Sequence, residues 1–251
     1  MRCPGASFVL LVFFPLVLAF GEAGSPEAVT ASENRSAPPA IVIGFVGGFV
    51  NHTNRVHSTV QVVEHLRNEY AAGAYVQAFE NHRGDKAYKE ILGRLDVNHD
   101  GVLSNDEKQS ARIILFGHSW GASETVALAR KLEKDGIPVL LTIQVDSVAK
   151  IGQNDQVIPA NVKEAVNFFQ PNGLVHGQRQ IRAADPARTQ IAGNYRFEYK
   201  ANPLSCKSYP WFNRVFIRPH TQIECDPTVW SQVESLIYSK LAPEAPKTAA
   251  R

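Results

Sequence analysis

Several common functional signatures are missing from this sequence of 251 residues. It has no run of basic residues, no acidic tail and no basic stretch interleaved with aromatic side chains, and its 26 Lys and Arg against 24 Asp and Glu leave a net charge of +2. We therefore expect no nucleic-acid partner. A phosphate-binding loop, a dinucleotide fingerprint, a zinc-ligand spacing and an internal repeat are also missing.

Cysteine is scarce, with only three in the chain. Cys3 lies in an N-terminal segment that we expect to be removed, which leaves Cys206 and Cys225 as an even pair. In an oxidising compartment such a pair predicts a disulfide, with two free thiols as the alternative. Closing a loop of about 20 residues would stabilise the fold by roughly 3 kcal/mol in the chain-entropy model.

Long apolar runs are confined to the N-terminus. Arg2 supplies a positive charge, residues 8–20 are apolar apart from one proline, and small residues follow up to Gly24. This pattern predicts a signal peptide over residues 1–23 and a secreted or periplasmic protein. The run is short for a membrane span, so no stable span is expected after cleavage; an uncleaved anchor is the alternative.

Residues 40–241 are expected to form a single domain. Residues 24–39 are rich in Ser, Glu, Ala and Pro and predict a disordered lead-in, and residues 242–251 predict a flexible tail. Within the domain, apolar runs alternate with segments of helical periodicity, which predicts an α/β fold: a mostly parallel sheet with helices on both faces. Strands are expected at 40–46, 74–79, 113–116, 138–145, 166–169 and, half-buried, around 195–199, and helices at 60–70, 85–95, 123–134 and 227–241.

The most informative stretch joins one of these strands to the helix that follows it. It reads Gly117-His118-Ser119-Trp120-Gly121, the G-x-S-x-G pattern in its strand–turn–helix context. Such a turn holds the serine hydroxyl out at the end of the strand. A side chain at either glycine would crowd the neighbouring backbone. We therefore predict that Ser119 is a catalytic nucleophile and that the Trp120 N–H faces a developing oxyanion.

A serine nucleophile needs a base, and the base needs an orienting acid. Asp146 follows the apolar strand at 138–145 and is the predicted acid, with Asp155 as its rival. Two histidines lie downstream of Ser119. His220 is the predicted base, on a loop before the last helix, and His176 is the runner-up.

The loop after the first strand is the expected source of a second oxyanion donor. Gly47, Gly48 and Phe49 end that strand, and the backbone N–H of Gly48 or of Phe49 is the predicted donor; the sequence does not choose between them. Aromatic residues near these positions could line an acyl pocket. The candidates are Phe49, Trp120, Trp211 and Phe212.

Taken together, these motifs resemble the α/β-hydrolase superfamily in its small esterase and lipase-like branch. The resemblance covers residues 40–241 and implies a Ser-His-Asp triad that works through an acyl-enzyme. Two features depart from the common pattern. The acid follows the strand next after the serine strand, and the chain lacks the usual leading hairpin and a long lid insertion. The second departure disfavours bulky lipid substrates.

A second motif lies between a predicted helix and the serine strand. Residues 96–107 match the twelve-residue EF-hand calcium loop, with Gly101 at the sharp turn and Leu103 as its apolar plug. Because there is only one such loop, we expect a structural calcium ion that fixes the connection into the serine strand. The predicted ligands are Asp96, Asn98, Asp100, the carbonyl of Val102, Ser104 and Glu107.

The sequence thus predicts a secreted serine hydrolase that cleaves the carboxylic ester or thioester bonds of a small or lipid-like substrate and carries a structural calcium. An acyltransferase or amidase with the same triad is one alternative. A calcium-binding interaction protein with an inactive hydrolase fold is another. No organic cofactor is expected, and the substrate and oligomeric state stay open.

Overall fold

Strands and helices alternate along residues 40–70 and 73–241, the part of the chain that this computed structural model describes. All of it falls within one compact unit, 37–251. The predicted signal peptide (1–23), lead-in (24–39) and tail (242–251) lie outside the described residues. The strands are β1 (Ala40–Val46), β2 (Ala74–Glu80), β3 (Ile113–His118), β4 (Val139–Val145), β5 (Val157–Ile158), β6 (Val162–Phe169), β7 (Arg182–Ala183) and β8 (Gln190–Arg196). The helices are α1 (Ser58–Glu69), α2 (Gly84–Leu95), α3 (Asn105–Gln109), α4 (Trp120–Lys134), α5 (Trp211–Phe216), α6 (Arg218–Glu224) and α7 (Pro227–Leu241).

Six of these strands form one sheet, in the order β2-β1-β3-β4-β6-β8, and all neighbours in it run parallel. The short β5 and β7 pair separately. The three central strands β1, β3 and β4 are almost wholly buried, as their continuous apolar runs predict.

Helices cover both faces of the sheet. On one face α1 and α7 pack through residues such as Leu66 and Trp230, and on the other α2 and α4 pack through residues such as Ile91 and Leu132. Successive side chains of a strand point to opposite faces, so one apolar strand supplies both cores. The predicted α/β architecture, a parallel sheet with helices on both faces, is confirmed. No helix in the described ranges combines the length and apolarity that a membrane crossing needs.

Two local expectations from the C-terminal third are wrong. The strand expected around 195–199 is β8, which lies earlier in the chain and ends at Arg196. Its sequence, QIAGNYR, has little apolar alternation, and its pairing with β6 at the edge of the sheet makes it a strand. His220 was expected on a loop, but it lies in the short helix α6, which a proline at its start favours.

The disulfide between Cys206 and Cys225 is present, as predicted, with 5.9 Å between its Cα atoms. Cys225 is the residue directly after α6. The bridge therefore ties the end of this helix to the segment before α5. Since α6 carries His220, the covalent link restrains the element that presents that side chain.

The carboxyl ends of the parallel strands meet at one edge of the sheet, and polar or glycine residues follow them there. Gly47 follows β1, Asn81 follows β2, Ser119 follows β3, Asp146 follows β4 and Gln170 follows β6. In open parallel sheets, ligands bind outside this edge. It is where the candidate site lies.

Candidate active site

Ser119 occupies a sharp turn between β3 and α4. Its backbone has φ 58° and ψ −126°, a conformation that residues other than glycine rarely adopt. The turn also requires close backbone contact. A Cβ at Gly121 would lie 2.1 Å from the carbonyl oxygen of Phe45, and a Cβ at Gly117 would lie 2.6 Å from the carbonyl carbon of Gly121. Only glycine at both positions lets the turn rest against the end of β1.

His220 reaches both Ser119 and Asp146. Its Nε2 lies 2.8 Å from Ser119 Oγ, and its Nδ1 lies 2.6 Å from Asp146 Oδ2. All three side chains are buried or nearly so. The structure therefore joins the predicted nucleophile, base and acid in one chain of hydrogen bonds. With a proton on Nδ1 donated to Asp146, Nε2 is free to accept the serine proton.

Asp146 is held by more than His220. Its carboxylate has no exposed surface, and it accepts hydrogen bonds from Gly177 N at 2.7 Å, Gln170 Nε2 at 2.9 Å and Gln170 N at 3.2 Å. These donors fix the orientation of the carboxylate. Neither Gln170 nor Gly177 was predicted from the sequence. Gln170 could have been recognised by its position directly after an apolar strand. No local sequence pattern marks Gly177.

Asp155 and His176, the alternative acid and base, lie outside the hydrogen-bonded chain. Asp155 is buried, and its Oδ2 accepts a hydrogen bond from Ser147 Oγ at 2.5 Å, while burial raises the pKa of its carboxyl. His176 is exposed, and its Nδ1 lies 3.4 Å from the carbonyl oxygen of its neighbour Gly177. Neither of them joins the hydrogen-bonded chain that contains Ser119.

The loop after β1 lies against Ser119. A Cβ at Gly47 would come within 2.9 Å of Ser119 Cβ, and Gly48 has a positive φ of 50°. Asn81 ties the loop down, since its Nδ2 donates to the carbonyls of Val46, at 3.2 Å, and of Gly48. Asn81 was not singled out by the sequence analysis, although it directly follows a strand.

The candidate oxyanion donors lie on two segments next to Ser119: Trp120 follows it directly, and the loop that holds Gly48 and Phe49 begins at Gly47, which packs against it. Trp120 is the first residue of α4, so its N–H has no intrahelical acceptor. The Phe49 side chain is 97% exposed and meets the Trp120 ring edge-on, with 5.5 Å between centroids. Gly48 and Phe49 both lie on the loop that borders the serine turn, and the N–H of either residue is a candidate second donor.

A cleft of about 420 Å³ opens above Ser119 and His220. Phe212 lines it as predicted, whereas Trp211 lines a separate cavity of about 360 Å³ beside Cys206. Apolar surface in the cleft comes from Phe49, Val50, Pro210, Phe212 and Ile217, and polar surface from Asn51, Asn54, Asn213, His57, His118 and Glu224.

Three of these polar residues form a second buried cluster next to His220. His57 Nδ1 donates to Glu224 Oε1, and Glu224 Oε2 lies 3.5 Å from His118 Nδ1. All three are at most 6% exposed. Burial lowers the pKa of His118 to about 4. Burial alone would raise the pKa of Glu224, but its contacts with His118 and His57 hold it below its usual range.

The predicted calcium loop connects α2 to α3. Asp96 accepts hydrogen bonds from Asp100 N at 3.2 Å and Gly101 N at 3.0 Å, and Glu107 accepts from Val97 N at 3.0 Å and Ser104 N at 2.9 Å. The Ser104 hydrogen bonds lower the pKa of Glu107 and keep its carboxylate charged.

The donor chemistry of this loop fits calcium, which prefers carboxylate, amide and carbonyl oxygens. A tight turn is present, with positive φ at His99 and Gly101. In the part of the chain described, however, no group of three or more His, Cys, Asp or Glu side chains converges enough to hold a metal ion. Calcium at Asp96, Asn98, Asp100, Val102, Ser104 and Glu107 therefore stays a prediction.

Comparison with known proteins gives only distant likenesses. No protein-family model matches the chain, and no curated protein does. Among solved structures, Est1E from Butyrivibrio proteoclasticus is similar, with a TM-score of 0.41, 12% identity and coverage of 84% of this chain and 91% of that one. The RedJ thioesterase of the prodiginine pathway in Streptomyces coelicolor gives a TM-score of 0.37, 11% identity and coverage of 88% and 98%.

A dienelactone hydrolase-like promiscuous phosphotriesterase from metagenomic libraries gives a TM-score of 0.37, 12% identity and coverage of 83% and 88%. At such TM-scores and identities these likenesses assign neither a family nor an activity. What the chain itself defines is an α/β protein whose parallel sheet carries, at the carboxyl ends of β3 and β4, a buried serine–histidine–aspartate hydrogen-bond chain.

The glycine requirement at the serine turn is testable by stability. Gly121→Ala should lower the free energy of unfolding by at least about 2 kcal/mol, because its Cβ would overlap the Phe45 carbonyl oxygen. Gly93→Ala is the matched control, because Gly93 is exposed in α2 with open space around it. This variant should raise the free energy of unfolding by roughly 0.5–1 kcal/mol. Urea unfolding measures both. A Gly121→Ala protein as stable as the wild type would contradict the described turn.

Proposed function

We propose that this chain is a serine hydrolase of the α/β-hydrolase superfamily that cleaves carboxylic ester or thioester bonds. The observation that carries the proposal is the placement of His220, with Nε2 at 2.8 Å from Ser119 Oγ and Nδ1 at 2.6 Å from Asp146. A buried serine at positive φ, in hydrogen-bond contact with a histidine that a buried carboxylate orients, is the arrangement that activates a hydroxyl.

The proposed reaction has two halves. Ser119 Oγ attacks the substrate carbonyl carbon while its proton passes to His220 Nε2, and the leaving alcohol or thiol departs with that proton. The acyl group is then an ester on Ser119. Water attacks this ester and gives a proton to Nε2, the carboxylic acid leaves, and the proton returns to Oγ. Asp146 stabilises the imidazolium formed in each half without taking its proton.

The oxyanion formed in each half needs donors that are already in place. We assign the first donor to the N–H of Trp120, because this group lies at the start of α4 and has no intrahelical acceptor. The second would come from Gly48 or Phe49, on the loop that Asn81 anchors through two backbone carbonyls. The serine turn packs against the end of β1 and Asn81 anchors the loop, so we expect little reorganisation during the reaction.

The size and lining of the cleft favour small esters. A volume of about 420 Å³ is near the lower end of ligand pockets, and the apolar side chains of Phe49, Phe212 and Ile217 suit a short acyl or alcohol group. We further propose that the protein is exported. The predicted signal peptide and the Cys206–Cys225 disulfide, which needs an oxidising compartment, both support this.

Substitutions in the hydrogen-bonded chain test the proposal. With p-nitrophenyl acetate as substrate, Ser119→Ala should lower kcat by at least about 10⁴-fold, and Asp146→Asn by about 10³–10⁴-fold because the histidine tautomer is no longer fixed. Asp155→Asn is the control, since this buried carboxylate contacts Ser147 and not His220. It should retain wild-type kcat. Equal activity in the wild type and Ser119→Ala would overturn the proposal.

We also propose that residues 96–107 bind a structural calcium ion. Support comes from the all-oxygen donor set and from the tight turn. When bound, the ion would neutralise the carboxylates of the loop and draw them together. The loop leads through α3 into β3, the strand that ends at Ser119, so calcium would stabilise the approach to the active site.

Thermal unfolding tests the calcium proposal without relying on activity. With a dissociation constant of about 10⁻⁴–10⁻³ M, 10 mM calcium should add about 1–3 kcal/mol and raise Tm by roughly 3–9 °C. Glu107→Gln should abolish the shift, although glutamine can still serve in the capping box that Glu107 forms with Ser104. The control Asp106→Asn, next to Glu107 but outside the ligand set, should keep it. No shift in the wild type would exclude a site of this affinity.

A further inference from the structure

The buried cluster of His57, His118 and Glu224 has no part in the Ser119–His220–Asp146 chain, yet it shares the cleft with it. Glu224 lies four residues after His220 in α6, so the two side chains project from the same face of the helix. A carboxylate on that face is unusual, because burial penalises its charge unless partners compensate. In Glu224 each carboxylate oxygen has one partner: Oε1 accepts from His57, and Oε2 faces His118.

His118 stands between Glu224 and His220. Its ring faces the His220 ring with 4.5 Å between centroids and 33° between planes. Its Nδ1 is turned to Glu224 Oε2 at 3.5 Å, while its Nε2 is buried with no hydrogen-bond partner among the described residues. Since its pKa is lowered to about 4, His118 is a neutral ring at neutral pH. The ring of His118 therefore separates the Glu224 carboxylate from His220 without carrying a positive charge that would cancel that of Glu224.

Several charged or titratable groups surround His220 and Glu224. They are Asp146 from the end of β4, His118 from β3, His57 before α1, and the Tyr209 hydroxyl, whose pKa burial and Glu224 raise. His220 therefore faces two acids: Asp146 by a direct hydrogen bond, and Glu224 across His118. A negative charge close to an imidazole interacts more favourably with its protonated than with its neutral form.

On the basis of the proposed hydrolase function, we propose that Glu224 is a second, positioning acid that stabilises the protonated form of His220 across the ring of His118. It breaks no bond and touches no substrate in this role. Its negative charge lowers the free energy of the imidazolium that forms in each half of the reaction. The hydrogen bond from His57 and the one from Ser58 Oγ to the Glu224 carbonyl, at 2.6 Å, hold it in position.

The pH profile of kcat/KM with p-nitrophenyl acetate tests this role, because its acid limb reports the base of the free enzyme. In Glu224→Gln, the amide oxygen can still accept from His57, and the amide N–H₂ can face His118 Nδ1 once the proton of that neutral ring has moved to the unpartnered Nε2. The size of the side chain is kept and its charge is lost. A catalytic base that loses a nearby negative charge takes up its proton at lower pH. The midpoint of the limb should move down by about 0.5–1 pH unit, and the plateau should fall about 3–10-fold.

Two further variants complete the design. Glu224→Asp keeps the charge and should keep the midpoint within about 0.2 pH unit of the wild type. Glu234→Gln removes a carboxylate that is also bonded to a histidine, His65 at 3.0 Å, but on α7, and it should leave the profile unchanged. A uniform loss of rate in Glu224→Gln without a shift of the limb indicates a purely structural role and overturns the inference.

A measurement on the wild-type protein covers the case in which Glu224→Gln does not fold. Nitrogen-15 NMR of the histidine rings should show His220 gaining a proton across the acid limb while His118 stays neutral. Protonation of His118 before His220 would cancel the charge of Glu224 and overturn the inference.

A wild type without Ser119-dependent hydrolysis overturns the proposed function itself, whereas an active wild type with an unshifted Glu224→Gln limb overturns only the role of Glu224.

Discussion

The close contact between the serine turn and the end of β1 is the constraint on which the rest of the site depends. Gly117 and Gly121 let the turn rest against the Phe45 carbonyl, and Gly47 lets the following loop rest against Ser119. Without these contacts the chain could not hold Ser119 at positive φ. The nucleophile and both candidate oxyanion elements are therefore positioned by backbone packing, which the buried sheet makes rigid.

Opposite this rigid turn, the base is presented by a short helix that needs external support. α6 has seven residues, too few to be stable alone, and the disulfide at Cys225, the Asp146 contact and the Glu224 cluster all hold it. Asp146 is itself fixed by Gln170 and Gly177. Elements from distant parts of the chain thus converge on one imidazole. The same restraints that stabilise α6 set the geometry between His220 and Ser119.

The sequence was most informative where local pattern and tertiary structure agree. The apolar runs of β1, β3 and β4, the helix Pro227–Leu241 and the bridged cysteines followed from periodicity, composition and compartment. It was least informative where tertiary contact decides the outcome. β8 pairs with β6 although its sequence has little apolar alternation, and the side chains of His57, His118 and Glu224 meet across 167 residues of chain. No local pattern marks such a meeting, although the strand-end positions of Asn81 and Gln170 could have been recognised.

The central claim is that Ser119 is an activated nucleophile. Treating the protein with a fluorophosphonate probe and mapping the adduct by peptide mass tests it without knowledge of the substrate. The proposed chemistry predicts one covalent adduct, on Ser119, that forms progressively faster as His220 loses its proton. A protein that stays unlabelled, or is labelled only at other residues, would contradict it.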